Sequence, residues 1–323
     1  MPLVDKPIEE LLKYEGINPR PEDFDEYWEA ALEEMRQVDP QVELVEVDLG
    51  IPTVTCYELY FTGVRNARIH GRMVVPKELK KPAPAIIQFH GYSGWGGEFS
   101  SLLQWAACGF VGVNMDCRGQ GGYSEDTGGV KGTTHGGMII RGLDDCPENL
   151  LFRHVFLDTA ELADIVMNFD FVDQTRVGVT GGSQGGALSL ACASLEPRVA
   201  KVHTCYPFLS DYKRVWEMDL TVAAYGELRT FFRNFDPNHE REDEIFRRLG
   251  YIDIQNLTKR VRGEVLMATG LMDTICPPST QFAAYNKIIS KKQYILFHDY
   301  GHEGLRGLSD KLLPFFGEFL KED

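Results

Sequence analysis

The chain has 323 residues, 43% of them apolar and 25% charged, a balance that fits a soluble globular protein and excludes a disordered or fibrous one. Its 48 acidic against 33 basic side chains leave a formal charge of -15, which repels phosphate backbones and anionic lipid and argues against nucleic acid as a partner. At this length one α/β domain with decorations, spanning residues 1–323, is the expected organisation.

The opening Met1-Pro-Leu-Val-Asp-Lys-Pro-Ile-Glu-Glu10 has neither a basic n-region nor an apolar h-region. No run of 18 apolar residues follows, so a cytoplasmic protein that makes no use of a membrane is expected. Residues 1–40 read as a helical extension. Over 21–38, Phe24, Tyr27, Trp28, Ala31, Leu32 and Met35 recur at helical spacing, with Pro21 suited to the first turn and Glu22 and Asp23 to its positive end. The alternating segments Val42–Leu49, Val54–Phe61 and Arg68–Val75, parted by Gly50-Ile51-Pro52 and by 63–66, predict antiparallel strands. After Val75, short apolar runs alternate with helical stretches, the pattern of parallel strands buried on both faces. These runs are Ala85–Phe89, Val111–Met115, Val177–Thr180, Val202–Tyr206, Val265–Thr269 and Tyr294–His298. An insertion over 210–262 is longer than a crossover needs and carries Trp216, Tyr225, Phe231, Phe232 and Phe235. Read as exposed, those aromatics predict a cap or an oligomer contact. Leu308–Leu320 closes the chain as a packing helix. The seven cysteines have no pair closer than nine residues, which predicts reduced thiols and no metal knuckle.

The chemistry centres on Gly181-Gly182-Ser183-Gln184-Gly185-Gly186, set between the strand Val177–Thr180 and the helical Ala187–Leu195. A strand, a sharp glycine turn and a helix would hold the Ser183 hydroxyl up at the carboxyl edge of a sheet, although an ordinary Gly-rich turn has the same spacing. A serine hydroxyl is a weak nucleophile until a histidine takes its proton and a carboxylate fixes that histidine's tautomer. The order Ser, acid, His selects Asp273, just beyond the strand Val265–Thr269, over a turn-capping role for it. His302 follows the last strand. His298 competes with it but falls at the strand's end, where packing is expected. Two amides must face the developing oxyanion: that of Gln184, next to the nucleophile, and that of Tyr92, in the glycine-rich loop Phe89-His-Gly-Tyr-Ser-Gly-Trp-Gly-Gly97. Tyr206-Pro207-Phe208 follows the strand Val202–Tyr206 and is placed to wall an acyl pocket, with Pro207 as the candidate. Arg118-Gly-Gln-Gly121 lacks a full dinucleotide fingerprint, and Arg118 reads as a guanidinium that pins loops. Neither a P-loop nor a His-Glu-x-x-His zinc pair occurs, so neither that nucleotide site nor that metal site is expected. The predicted fold class is α/β, an α/β-hydrolase fold: a mostly parallel central sheet flanked by helices, with an N-terminal helical extension and a small insertion before the acid-bearing strand.

With Arg-Gly-Gln-Gly at 118–121, Gly-Gly-Ser-Gln-Gly at 181–185 and His302-Glu303, the chain resembles carbohydrate esterase family seven, the acetyl xylan esterases and cephalosporin C deacetylases. The likeness runs from Pro21-Glu-Asp-Phe-Asp-Glu-Tyr-Trp28 through Leu271-Met-Asp-Thr-Ile-Cys-Pro-Pro-Ser279 to the last strand. It implies a Ser183, Asp273, His302 triad, an oxyanion hole from Tyr92 and Gln184, and Arg118 bracing the turn. It also implies removal of acetyl groups from small sugars or cephalosporins without a cofactor, in a homo-oligomer, commonly a hexamer. The chain departs from the family pattern at Leu150-Leu-Phe-Arg-His154, which stands in place of the family's more aromatic, tyrosine-rich stretch, a difference that bears on the lining of the site. A peptidase or thioesterase on the same fold, or a non-catalytic relic kept as a binding module, are the competing readings.

Overall fold

The structure is a computed structural model and describes residues 4–79, 81–130, 137–220 and 222–321. Among the described residues nine strands form one sheet in the order β1-β2-β3-β5-β4-β6-β7-β8-β9. The first three, β1 (Glu43–Val47), β2 (Val54–Gly63) and β3 (Ala67–Pro76), are antiparallel, and β3 joins β5 (Val111–Met115) antiparallel as well. From there β5, β4 (Ala83–Phe89), β6 (Val172–Gly182), β7 (Lys201–Cys205), β8 (Glu264–Gly270) and β9 (Lys292–Phe297) run parallel. This is the α/β-hydrolase arrangement that the sequence predicts, with each apolar run giving one strand.

Alternation along a strand sends neighbouring side chains to opposite faces. On β4, Ile86 packs with Trp105, Phe315 and Phe316, while Ile87 joins the larger core on the other side. The helices follow that division. In chain order they are α1 (Ile8–Leu11), α2 (Phe24–Arg36), α3 (Phe99–Ala107), α4 (Leu151–Met167), α5 (Gln184–Leu195), α6 (Tyr212–Glu217), α7 (Gly226–Phe235), α8 (Glu242–Leu249), α9 (Ile254–Leu257), α10 (Pro278–Asn286) and α11 (Leu308–Gly317). Trp105 of α3 meets Phe316 of α11 edge-on at 5.6 Å on the first face, and α4 and α5 cover the second.

The predicted N-terminal helix is α2, and its apolar stripe is buried against α4, with Trp28 stacked on Phe156 at 6.1 Å. The stretch Leu150–His154, where the chain departs from the family pattern, opens α4 and is buried, and Arg153 there pairs with Glu34 of α2 at 2.7 Å. Two expectations are corrected. Tyr225, Phe231 and Phe232 of the insertion are buried, not exposed, because the helices around α7 fold inward and use their aromatics as core. His298 lies one residue beyond β9 and is exposed, because the strand stops at Phe297. All seven cysteines are free. Among the described residues no helix is long and apolar enough to cross a membrane.

Candidate active site

Parallel strands deliver their carboxyl ends to one edge of the sheet, and every residue singled out for chemistry leaves from that edge. Ser183 ends β6 and opens α5 with φ 57° and ψ -119°, a conformation L-residues avoid. The turn tolerates only glycine at its flanks. A Cβ on Gly181 would lie 2.4 Å from the Gly185 backbone, and one on Gly185 would lie 2.1 Å from the Phe89 carbonyl oxygen. The Ser183 N–H donates to the Cys205 carbonyl at 2.9 Å and its own carbonyl accepts from Phe208 N at 3.1 Å, so β7 and the segment after it fix the strained residue.

His302 Nε2 lies 3.0 Å from Ser183 Oγ, and His302 Nδ1 lies 2.8 Å from Asp273 Oδ2. Asp273 is fully buried, and its other oxygen accepts from the Ile275 and Cys276 amides at 2.8 Å each. A carboxylate held at both oxygens cannot rotate away from the imidazole, which fixes the ring that faces the serine. Tyr206 packs on the His302 ring at 4.6 Å. Asp273, Cys276 and His302 are metal-binding types in close reach of one another, and Asp273 and His302 meet at hydrogen-bond distance.

Ser183 and His302 open into a pocket of about 370 Å³ lined also by Gly91, Tyr92, Phe208, Ala223, Ala224 and Ile275. Its walls are mostly apolar and come from the loops after β4, β7 and β8 and from the insertion. Pro207 is buried and does not line it. Its neighbour Phe208 does, and stands edge-on to Tyr92 at 5.5 Å.

Gln184 is the first residue of α5, so its N–H has no acceptor one turn earlier in the helix. The Tyr92 loop is held from several sides. Ser93 N donates to Gln120 Oε1 at 3.0 Å, and the Gln120 and Gln184 side-chain amides bond reciprocally at 2.9 and 3.1 Å. Gly121 N donates to the Gly94 carbonyl at 2.8 Å, and His90 Nε2 accepts from Cys117 N at 3.0 Å. Burial lowers the His90 pKa, which suits this acceptor role. Gln120 thus links the two loops, a contact that the sequence does not single out, although the residue stands inside the Arg-Gly-Gln-Gly motif. Arg118 is placed behind it, 1% exposed, and forks onto Asp158 of α4 at 2.6 and 2.7 Å while also donating to the Val64 carbonyl at 3.3 Å. Burial opposes the guanidinium's charge, but Asp158 outweighs it and raises the Arg118 pKa. The fork ties the loop after β5 to the helical layer and does not reach the pocket.

The sequence model of the family "Acetyl xylan esterase (AXE1)" matches residues 1–319. Among solved structures, acetyl xylan esterase 1 from Thermoanaerobacterium sp. JW/SL YS485 is 58% identical and superposes with a TM-score of 0.96 over 98% of this chain and 100% of that one. An acetyl xylan esterase from Paenibacillus sp. R4 is 35% identical, with a TM-score of 0.93 over 97% and 99% of the two chains. The acetyl esterase Axe7A of Xylanibacter ruminicola is 30% identical over 293 residues, which is 89% of this chain but 64% of that longer protein.

Proposed function

We propose a function from the premise that the chain belongs to the acetyl xylan esterase family: it is a serine esterase that removes short acyl groups, chiefly acetyl, from acetylated xylo-oligosaccharides and cephalosporin-like esters. The observation that carries the reading is the line Asp273, His302, Ser183, at 2.8 and 3.0 Å, ending in a small apolar pocket. In this reading His302 Nε2 takes the Ser183 proton as Oγ attacks the acetyl carbonyl, and Asp273 supports the imidazolium that forms. The oxyanion is held by the N–H groups of Tyr92 and Gln184. Collapse breaks the bond between the acetyl carbon and the sugar oxygen, which takes the proton from His302 and departs as a hydroxyl, leaving Ser183 acetylated. A water molecule then repeats the sequence and releases acetate. Arg118 and Gln120 act as supports that keep the two amide-bearing loops in place. No cofactor or metal enters these steps.

Three relatives are acetyl or acetyl xylan esterases, and a pocket walled by Phe208, Ala223 and Ala224 suits a small acyl group. A cytoplasmic homo-oligomer, with a hexamer as the size implied by the resemblance, completes the proposal. Purified protein tests it. Acetate should be released from acetylated xylo-oligosaccharides and from cephalosporin C, and rates should fall steeply from acetyl to butyryl esters. Faster cleavage of peptides or thioesters than of acetyl esters would overturn it.

A further inference from the structure

We propose that Glu227, in the first turn of α7, is a positioning residue that clamps the Tyr92 side chain and so keeps the Tyr92 peptide N–H aimed at the oxyanion. The inference rests on the serine-esterase reading. It starts from an oddity of the pocket wall: a carboxylate carried by the insertion reaches into the space between three segments far apart in the chain. Glu227 Oε1 accepts the hydrogen bond of the Tyr92 phenol. Its other oxygen accepts from Ile139 N at 2.7 Å and Ile140 N at 3.3 Å, while the Tyr92 oxygen itself accepts from Met138 N at 3.1 Å. The backbone wraps closely around this carboxylate. Gly137 has φ 135°, and a Cβ there would lie 2.6 Å from Glu227 Oε2, so that turn needs glycine.

Tyr92 therefore has two ends with different duties. Its backbone leaves β4 in the loop assigned to the oxyanion hole, and its phenol is gripped from the opposite side of the pocket wall. The ring between them is packed edge-on against Phe208, which in turn packs on Tyr225 at 4.4 Å, two residues before Glu227. Ala223 and Ala224, which touch the pocket directly, belong to the same short turn that leads into α7. A substrate pressing on that turn thus presses on the element that fixes Tyr92. The grip is costly to build, since burial pushes the Glu227 pKa up to about 7 against the opposing amides of 138–140. A partly buried carboxylate stands here where an apolar contact would have packed the wall, which is what positioning a donor requires and what packing alone does not.

The test uses the full chain with an aryl acetate as probe, comparing wild type with Ser183→Ala, Glu227→Ala, Glu227→Gln, Tyr92→Phe and the Tyr92→Phe/Glu227→Ala double variant. Losing an oxyanion donor outright costs about 10²- to 10³-fold in kcat, so a donor left in place but misaimed should cost about 10- to 100-fold. Glu227→Ala and Tyr92→Phe are expected to show that loss in kcat with KM within about twofold, the signature of an interaction made only in the transition state. Glu227→Gln, which still offers an oxygen to the phenol, should recover part of it. The double variant should be no more than about threefold slower than the worse single, because both lesions cut the same link. Unchanged kcat in Tyr92→Phe overturns the proposal, even if Glu227→Ala fails to fold, since removing one hydroxyl leaves the fold intact. A loss confined to KM, or effects that multiply in the double variant, also overturns it. Turnover that survives in Ser183→Ala would instead defeat the serine-esterase reading.

Discussion

His302 and His70 are each bonded through Nδ1 to an aspartate lying just beyond a central strand, at 2.8 Å for Asp273 and 2.6 Å for Asp116. They part at Nε2. That of His302 faces the Ser183 hydroxyl at 3.0 Å in an open pocket, whereas that of His70 is held by Glu58 at 2.5 Å in a site where the ring is 1% exposed. Asp116 also accepts from the Gly96 and Tyr123 amides, at 2.6 and 2.9 Å, so this second pair braces the loops after β4 and β5. An aspartate behind an imidazole is thus no sign of catalysis by itself. The partner on the far nitrogen and access from solvent decide whether the pair moves protons or holds loops together.

The sharpest way to break this comparison is to remove the group that separates the two pairs. Ser183→Ala should lower kcat on an aryl acetate by about 10⁶-fold in a stopped assay with unchanged unfolding, since nothing else in the pocket replaces the nucleophile. Asp273→Asn should cost about 10⁴-fold, because asparagine favours the wrong histidine tautomer, while the melting temperature moves little by comparison.

The matching change in the other pair should do the reverse. Asp116→Asn is expected to leave kcat per folded molecule within a few-fold of wild type yet lower stability by about 3 kcal/mol in a denaturant titration, the typical cost of breaking a buried pair. The same variant gives a pH signature. Burial works to raise the Asp116 pKa, but the bonds from His70, Gly96 and Tyr123 outweigh it and hold it at about 2, against 3.8 in the free group. The unfolded chain therefore takes up this proton first, so the contribution is present above pH 3.8 and is lost as pH falls through about 2. Wild type should lose stability over that window more steeply than Asp116→Asn. A smaller effect is expected from Arg118→Lys, which keeps the charge but loses the fork onto Asp158: about 1 to 2 kcal/mol in a thermal melt, with the acyl-chain preference unchanged.

Much of the architecture is legible because its signals are local. Each strand from β4 to β9 carries a short apolar run, and the α2 stripe follows the helical period. The aromatics of the insertion were less legible, because Phe231 and Phe232 at helical spacing serve an interior and an interface equally well. Glu227 carries no local mark either, and the motif around Gln120 does not show what its side chain meets. Gln120 matters through its exchange of bonds with Gln184, and Glu227 through a phenol that the sequence places 135 positions away. Pro207 and Phe208 are neighbours in a turn, and only the path of the chain after β7 settles which of them meets the pocket.

The sequence by itself determined the elbow at Ser183, since the glycines at 181 and 185 answer a clash within a few residues of the serine and leave their trace in the motif. Chain order then pointed to Asp273 and His302. Tertiary structure alone decided that His302 meets Ser183 across 119 positions while His70 is closed off by Glu58, and that the insertion walls the pocket. The reason is physical: strain at a turn is fixed by adjacent residues, whereas a hydrogen bond between distant strands exists only once the sheet has set their register.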